Sequence, residues 1–239
     1  MKIGIIGATG RQGRLILEEA HARGHEVTAI IRNPAKLADK EVAIMERDIF
    51  DVQVEDLKGF DVIVDAFNAP AGMEEEHVTS LQSLIDELEH LPETRLIVVG
   101  GAGSLYADPG KTIRVMETAN FPEAFKPTAT NMAKALSILK ESKANWTYLS
   151  PSAYFDPNGN RTGKYAEGAE TLLLNSEGES YISYADYAIA LVDEIERQRH
   201  LRQRYTVVGE RQWLLTLTGT TTQIRRGIHG NIGFDHRFS

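Results

Sequence analysis

The chain has 239 residues, 42% of them hydrophobic and 8% aromatic, with a formal net charge of −8 and no cysteine. That length suits an α/β domain with a sizeable core, and the acidic balance disfavours a general nucleic-acid binder, which needs a clustered basic surface. Without cysteine there is no disulfide, thiolate chemistry or cysteine-ligated zinc or iron–sulfur site in these residues.

In chain order, Lys2–Ile6 is a short apolar run closed by Gly7 and reads as a strand buried on both faces. Residues 14–22 are helical in character, and Gly24 supplies a left-handed stop. Strands follow in EVTAIIR, VAIMERD and FDVIVDAFN, then a helix over about Glu74 to Leu91. RLIVVGG reads as a fifth strand, TNMAKALSILKES as a helix and NWTYLSP as a sixth strand. Ser183 and Asp186 have capping-box spacing ahead of the helix YADYAIALVDEIERQ, and RYTVVG is a seventh strand. Alternating strands and helices imply a doubly wound parallel sheet with helices on both faces.

Two long stretches interrupt this rhythm, at about 101–128 and 151–182, each after the carboxyl end of a strand, where open α/β sheets bind ligands. They read as substrate loops forming an ordered lid, and Tyr106, Phe121, Phe125, Tyr154, Phe155 and Tyr165 within them are candidates for an aromatic platform. Residues 1–209 then form one domain, and 210–239, rich in Thr and Gly without a sustained period, read as an appended tail. No apolar run approaches the ~20 residues of a membrane span. The strand pattern starts at once, with no leader ahead of it, so the expectation is a cytoplasmic protein without a membrane partner.

The most informative stretch is Gly7-Ala8-Thr9-Gly10-Arg11-Gln12-Gly13, between the first strand and the first helix. A dinucleotide pyrophosphate binds at a helix N-terminus, where free N–H groups and the helix dipole favour an anion. Gly7 suits the sharp turn, Gly10 the close approach of backbone to phosphate, and Gly13 the packing of helix on strand, as in a Rossmann-type fold. Thr9, Arg11 and Gln12 lie in the same loop. The second strand ends in Arg32, 19 residues after Gly13, where an acid would accept from the 2′-hydroxyl of NAD. An arginine offers donors to a 2′-phosphate instead, so NADP(H) is expected over NAD(H), with Arg11 and Lys36 adding positive charge. Asp48 and Ile49, after the third strand, are candidates for the adenine, and Ala66, Phe67 and Asn68, after the fourth, for the cofactor ribose. Pro151 and Ser152, after the sixth, are candidates for the carboxamide. None of the seven histidines forms a convincing metal-ligand pair, and no metal is expected.

The glycine motif, Asp48 and DAFNAP resemble the short-chain dehydrogenase/reductase superfamily. GATGRQG, IIRNP, VVGGAGSL, RTGKY and ISYADYAIALVDEIE resemble more closely an atypical branch of it, the NADH-flavin reductase group related to NmrA-like and biliverdin reductase B-like proteins. The resemblance covers residues 1 to about 208. It implies Lys134, in the helix before the sixth strand, and Ser104, just past the fifth, as the lysine and serine of the superfamily's catalytic set, with Lys134 also able to bond the nicotinamide ribose. The superfamily's tyrosine is missing: none of the eight tyrosines has a lysine four residues later, and Thr130 stands in its place.

That absence restricts the chemistry. Carbonyl reduction requires a positioned acid at oxygen. A flavin accepts hydride into a heterocycle that spreads the charge, so the protein has mainly to stack the two rings. The expectation is therefore an NADPH-dependent oxidoreductase acting on a flavin (FMN or FAD) or quinone-like small-molecule acceptor. The alternative is an NADP(H)-binding redox sensor of NmrA-like type without turnover. A sugar-nucleotide epimerase is disfavoured by the same missing tyrosine.

Overall fold

The computed structural model describes residues 1–37 and 41–211. In chain order the strands and α-helices are β1 (Lys2–Ile6), α1 (Arg11–Ala22), β2 (Glu26–Ile31), β3 (Ala43–Glu46), α2 (Val54–Leu57), β4 (Val62–Asp65), α3 (Glu76–Leu88), β5 (Arg95–Val99), α4 (Lys126–Glu141), β6 (Asn145–Ser150), β7 (Tyr154–Asp156), β8 (Tyr165–Gly168), β9 (Tyr181–Ser183), α5 (Tyr184–Arg197) and β10 (Gln203–Gly209). The main sheet has the order β3-β2-β1-β4-β5-β6-β10-β8, and every pairing is parallel except β10 with β8. This is a Rossmann-type doubly wound fold. The chain leaves β1 in one direction through β2 and β3, then returns to build outward from β4, so the switch point lies between β1 and β4.

Both faces of the sheet are covered. Ile16, Leu17 and Ala20 of α1 pack with Leu191, Val192 and Ile195 of α5 on one face. Leu81, Leu84, Ile85 and Leu88 of α3 pack with Leu136 and Leu139 of α4 on the other. The β1 and β4 interiors are therefore continuous apolar runs, as a sheet buried on both sides requires. The buried Arg95 of β5 is paired with the buried Glu194 of α5, which also accepts from the backbone N–H of His200 at 2.9 Å. Among the described residues no helix is long and apolar enough to cross a membrane.

The structure differs from the sequence expectations in the loops. Helix α4 begins at Lys126 rather than Thr130, with Pro127 in its first turn, where a missing N–H does no harm. Ser183 caps α5 by accepting from the backbone N–H of Asp186 at 3.0 Å, but the reciprocal half of the expected capping box is absent. The Asp186 carboxylate instead accepts from the backbone N–H groups of Thr162 and Gly163, each at 2.8 Å, and from the Thr162 hydroxyl at 2.7 Å.

The two long loops are tied to each other and to the helices. The Tyr106 N–H donates to the Glu170 carbonyl at 2.9 Å, and the Leu172 N–H to the Tyr106 carbonyl at 2.8 Å, so one loop is zipped to the other. Arg161 reaches back to Glu19 on α1, and the Tyr165 hydroxyl donates to Asp193 on α5 at 2.6 Å. The tail expected at 210–239 falls, from residue 212 onward, outside the described residues.

Candidate functional site

The glycine loop crosses the carboxyl end of β1 at the switch point. Gly7 has φ +75°, and a Cβ there would lie 2.5 Å from the Ala66 carbonyl oxygen, so both conformation and space demand glycine. A Cβ on Gly13 would lie 2.3 Å from the Gly7 carbonyl oxygen and 3.2 Å from the Ala8 Cα. Gly13 thus lets α1 press directly on the turn. Gly10 is different: its Cβ would meet only the Gly7 oxygen, at 3.2 Å, and otherwise open space. Gly10 is also the N-cap of α1, with no side-chain cap and no acidic residue in the first turn. The helix presents an uncompensated positive end to an open, side-chain-free surface, which fits a phosphate.

Several expected cofactor residues gather around this end. Gln12 is buried; its Nε2 donates to the Tyr184 carbonyl at 3.2 Å, while its Oε1 has no partner. Thr9 and Arg11 are exposed beside it. Arg32, just past β2, is largely solvent-exposed and lies 3.6 Å from Asp48 across the ends of β2 and β3. Asp48 uses its other oxygen to cap the turn it starts, accepting from the Phe50 N–H at 3.1 Å, and Ile49 is buried beneath. Ala66 and Phe67 are half-buried at the end of β4, with Asn68 exposed. Phe50, which the sequence did not single out, is an exposed aromatic whose ring meets Phe67 edge-on at 6.2 Å.

The residues expected nearer the reacting end have the following surroundings. Ser104 is buried, and its Oγ accepts from Nη1 of Arg204 at 2.8 Å. Arg204 also pairs with Glu170, so Ser104 joins a clamp holding the two loops. Lys134 is on the exposed stripe of α4 with Thr130 and Ser137. Two residues of α4 turn toward the loop after β5: Met132, whose Sδ would lie 3.0 Å from a Cβ on Gly101, and Ala129, whose Cβ would lie 2.7 Å from one on Gly103. Pro151 and Ser152 are both buried, and the Ser152 hydroxyl donates to the Val207 carbonyl at 2.8 Å. Of the loop aromatics, Phe155 packs on Tyr184 at 4.0 Å and Tyr187 at 4.8 Å, next to the glycine loop, whereas Tyr154 stacks on Tyr181 at 5.8 Å.

Below the ends of β4, β5 and β6 lies a small cavity, partly open to solvent. Its floor carries Asp65, His77, Ser80 and Tyr148, and half-buried Phe67, Val99 and Met132 line it as well. Burial pushes the Asp65 carboxyl up to about 6, against the opposing effect of the Phe67 N–H it accepts at 3.0 Å. Burial likewise pushes the Tyr148 hydroxyl up to about 12, and lowers the affinity of His77 for a proton. Nothing in the local sequence signals this cluster, because Asp65 and Tyr148 fall at core positions of strands and His77 at a core position of a helix.

The profile of the NAD(P)H-binding family matches residues 7–198. YwnB of Bacillus subtilis is 52% identical over 211 residues, covering 88% of this chain and 99% of YwnB. A Streptococcus pneumoniae protein named "putative NADH-flavin reductase" is similar in structure, with TM-score 0.84 and 42% identity over 88% of this chain and 100% of that one. A Bacteroides thetaiotaomicron protein named "putative epimerase" has TM-score 0.80 and 32% identity, over 89% and 98%. The uncapped helix end, the glycines that only backbone contact explains and a profile spanning residues 7–198 agree, and the chain belongs to the NAD(P)H-binding family.

Proposed function

We propose that this protein is an NADPH-dependent oxidoreductase that passes hydride to a planar, charge-delocalising acceptor, a flavin or a quinone. The observation that carries this reading is the combination of an open, uncapped helix end at Gly10 with an exposed arginine, Arg32, at the end of β2. The backbone N–H groups at Arg11, Gln12 and Gly13 would hold the pyrophosphate, and the Arg32 guanidinium would leave Asp48 for the 2′-phosphate, gaining a charge-assisted pair in place of a 3.6 Å contact. Ala66 and Phe67 would flank the ribose. The bound dinucleotide supplies the hydride; the chain's own contribution is to orient it and exclude water.

Acceptor choice follows from what surrounds the reacting end. The resemblance places a tyrosine as the acid for carbonyl reduction, and Thr130 stands at that position four residues before Lys134, so no acid of that kind is positioned to protonate a ketone. Phe155, Tyr184 and Met132 offer apolar and aromatic surface suited to a flat ring. The test is NADPH oxidation followed by absorbance with FMN, a quinone and small ketones. Saturable turnover with FMN or the quinone, and none with ketones, is the expected result. Efficient ketone reduction overturns the acceptor reading, and tight NADPH binding with no turnover overturns the enzyme reading in favour of a redox sensor.

A further inference from the structure

We propose that Asp65 is a proton-holding residue of the cofactor site, taking up a proton when NADPH binds and giving it up when the nicotinamide becomes oxidised. This rests on the reading of the site as an NADPH site and goes beyond it, because neither the glycine loop nor Arg32 implies a coupled proton.

The geometry is specific. Asp65 is the last residue of β4 and pairs in register with Ile6, the last residue of β1. The next residue, Ala66, donates its N–H to the Ile6 carbonyl at 3.0 Å, and its carbonyl is the surface on which the Gly7 turn rests. The Asp65 backbone is therefore one residue before the Ala66–Gly7 contact, while its carboxylate lines the pocket on the face of the sheet covered by α3 and α4. The carboxylate is buried, and the Phe67 N–H is its one bonding partner among the described residues; no basic side chain forms an ion pair with it.

The groups facing it across the cavity do not neutralise it. From α3 come His77 and Ser80; the Nε2 of His77 is buried without a partner, and Glu74 just ahead of α3 acts on that ring rather than on Asp65. From β6 comes Tyr148, whose hydroxyl accepts from the Gly101 N–H at 3.2 Å and feels the Arg204 guanidinium from β10. Helix α4 contributes Met132 and Ala135, and β5 contributes Val98 and Val99, none of which titrates.

A buried, unpaired carboxylate becomes harder to ionise when water is displaced from its surroundings and when an anion approaches. NADPH binding does both. Oxidation of the nicotinamide places a positive charge on its ring, which acts in the opposite sense and favours the carboxylate. Reduction of a flavin or quinone consumes one proton with each hydride: one C–H bond of the dihydronicotinamide breaks, a bond to hydrogen forms on the acceptor, and the proton completes the reduced acceptor. A carboxyl protonated in the NADPH state and ionised in the NADP⁺ state stores and releases that proton in phase with the reaction, through the cavity at whose wall it lies.

The experiment is calorimetric titration of the intact protein with NADPH and with NADP⁺ near pH 7, in buffers of different ionisation enthalpy, which counts the protons taken up on binding. If binding moves the Asp65 pKa from about 6 by about one unit, uptake is roughly 0.4 proton per NADPH, and less for NADP⁺. The 2′-phosphate of the ligand titrates in the same range, so the quantity read is the difference between wild type and Asp65→Asn, an isostere that still accepts from the Phe67 N–H. His77→Gln is the second variant. The expected result is loss of the extra uptake in Asp65→Asn and its retention in His77→Gln. Equal uptake in wild type and Asp65→Asn, or loss only in His77→Gln, overturns the assignment. Failure of wild type to bind NADPH overturns the site reading itself, which separates the two.

Discussion

Gly10 and Gly13 occupy the same loop, yet the structure assigns them different jobs, and one pair of variants separates those jobs. In Gly13→Ala the new Cβ would sit 2.3 Å from the Gly7 carbonyl oxygen and 2.9 Å from its carbon, both backbone atoms in a turn already fixed by the Ala66 contact. Relief needs a shift of about 1 Å between α1 and the end of β1. Overpacking of this kind costs about 1–3 kcal/mol. Alanine's better helix propensity returns at most ~1 kcal/mol, less in a first turn. A net loss near 2 kcal/mol corresponds to a fall in Tm of about 4–8 °C for a domain of this size. In Gly10→Ala the Cβ has one neighbour at 3.2 Å, a few tenths of an ångström too close, so Tm should move by less than about 2 °C. The same methyl stands where a phosphate must approach the helix end, and the loss of NADPH affinity should reach tenfold or more, ~1.4 kcal/mol. The assays are thermal melts by circular dichroism and NADPH titration by calorimetry on the folded variants. An unchanged Kd in Gly10→Ala would refute the phosphate-loop geometry. An unchanged Tm in Gly13→Ala would refute the claim that this glycine is required by backbone packing.

Arg32→Glu should leave Tm nearly unchanged, since the side chain is exposed and its contact with Asp48 is long, while NADPH affinity falls about ten- to hundredfold. NADH binding compared with NADPH binding reads it, and a variant that still prefers NADPH moves specificity to Arg11 or Lys36. Asp65→Asn should stabilise the ligand-free protein at neutral pH. The folded-state pKa is raised from 3.8 to about 6, so the ionised carboxylate is a burden fully present above about pH 6, shrinking as pH falls toward 3.8 and absent below it. The gain is up to ~3 kcal/mol, and a Tm difference between wild type and variant that persists at pH 4 would contradict it. Arg204→Met should unclamp the two loops, leaving Glu170 with Lys140 at 3.4 Å. A loss of ~2 kcal/mol and faster proteolysis within 101–128 or 151–182 are expected, and resistance equal to wild type would show that the backbone zipper at Tyr106 suffices.

How far these positions were legible in the sequence depends on the range of the interactions that fix them. Strand β1, the glycine loop, α1 and the end of β2 are contiguous, and each is dictated by local rules of apolar run, turn glycine and helix start. The parallel, doubly wound character of the sheet follows from the alternation; the antiparallel β8 at its edge and the separate β7–β9 pair do not. The ties that hold the loops are not legible, for the opposite reason. Nothing near RTGKY says that Thr162 and Gly163 will be held by a carboxylate 24 and 23 residues further on, or that Glu19 on α1 will hold Arg161 from 142 residues away. Asp186 looked like half of a capping box because that is a local pattern; its tertiary partners outcompete the Ser183 N–H for the same oxygens.

The reacting end shows the same limit with a chemical consequence. The resemblance points to Lys134, which lies exposed on α4. A helix turns each residue by about 100°, so Met132, two positions earlier, is turned differently and approaches Gly101 in the loop after β5, a contact that the local sequence does not signal. A tyrosine with a lysine four residues on is a pattern within one element. The ionisable groups that the fold gathers come from three elements, Asp65 at the end of β4, His77 on α3 and Tyr148 on β6, and lie 12 and 71 residues apart along the chain. Each is unremarkable alone, an apolar-strand aspartate, a helix histidine and a core tyrosine. Their burial without a counter-ion is what moves the carboxyl toward neutrality, and burial is a property of the assembled sheet. The register of β4 against its neighbours and the packing of α3 over the sheet bring the three groups to one pocket, and none of the three segments signals it alone.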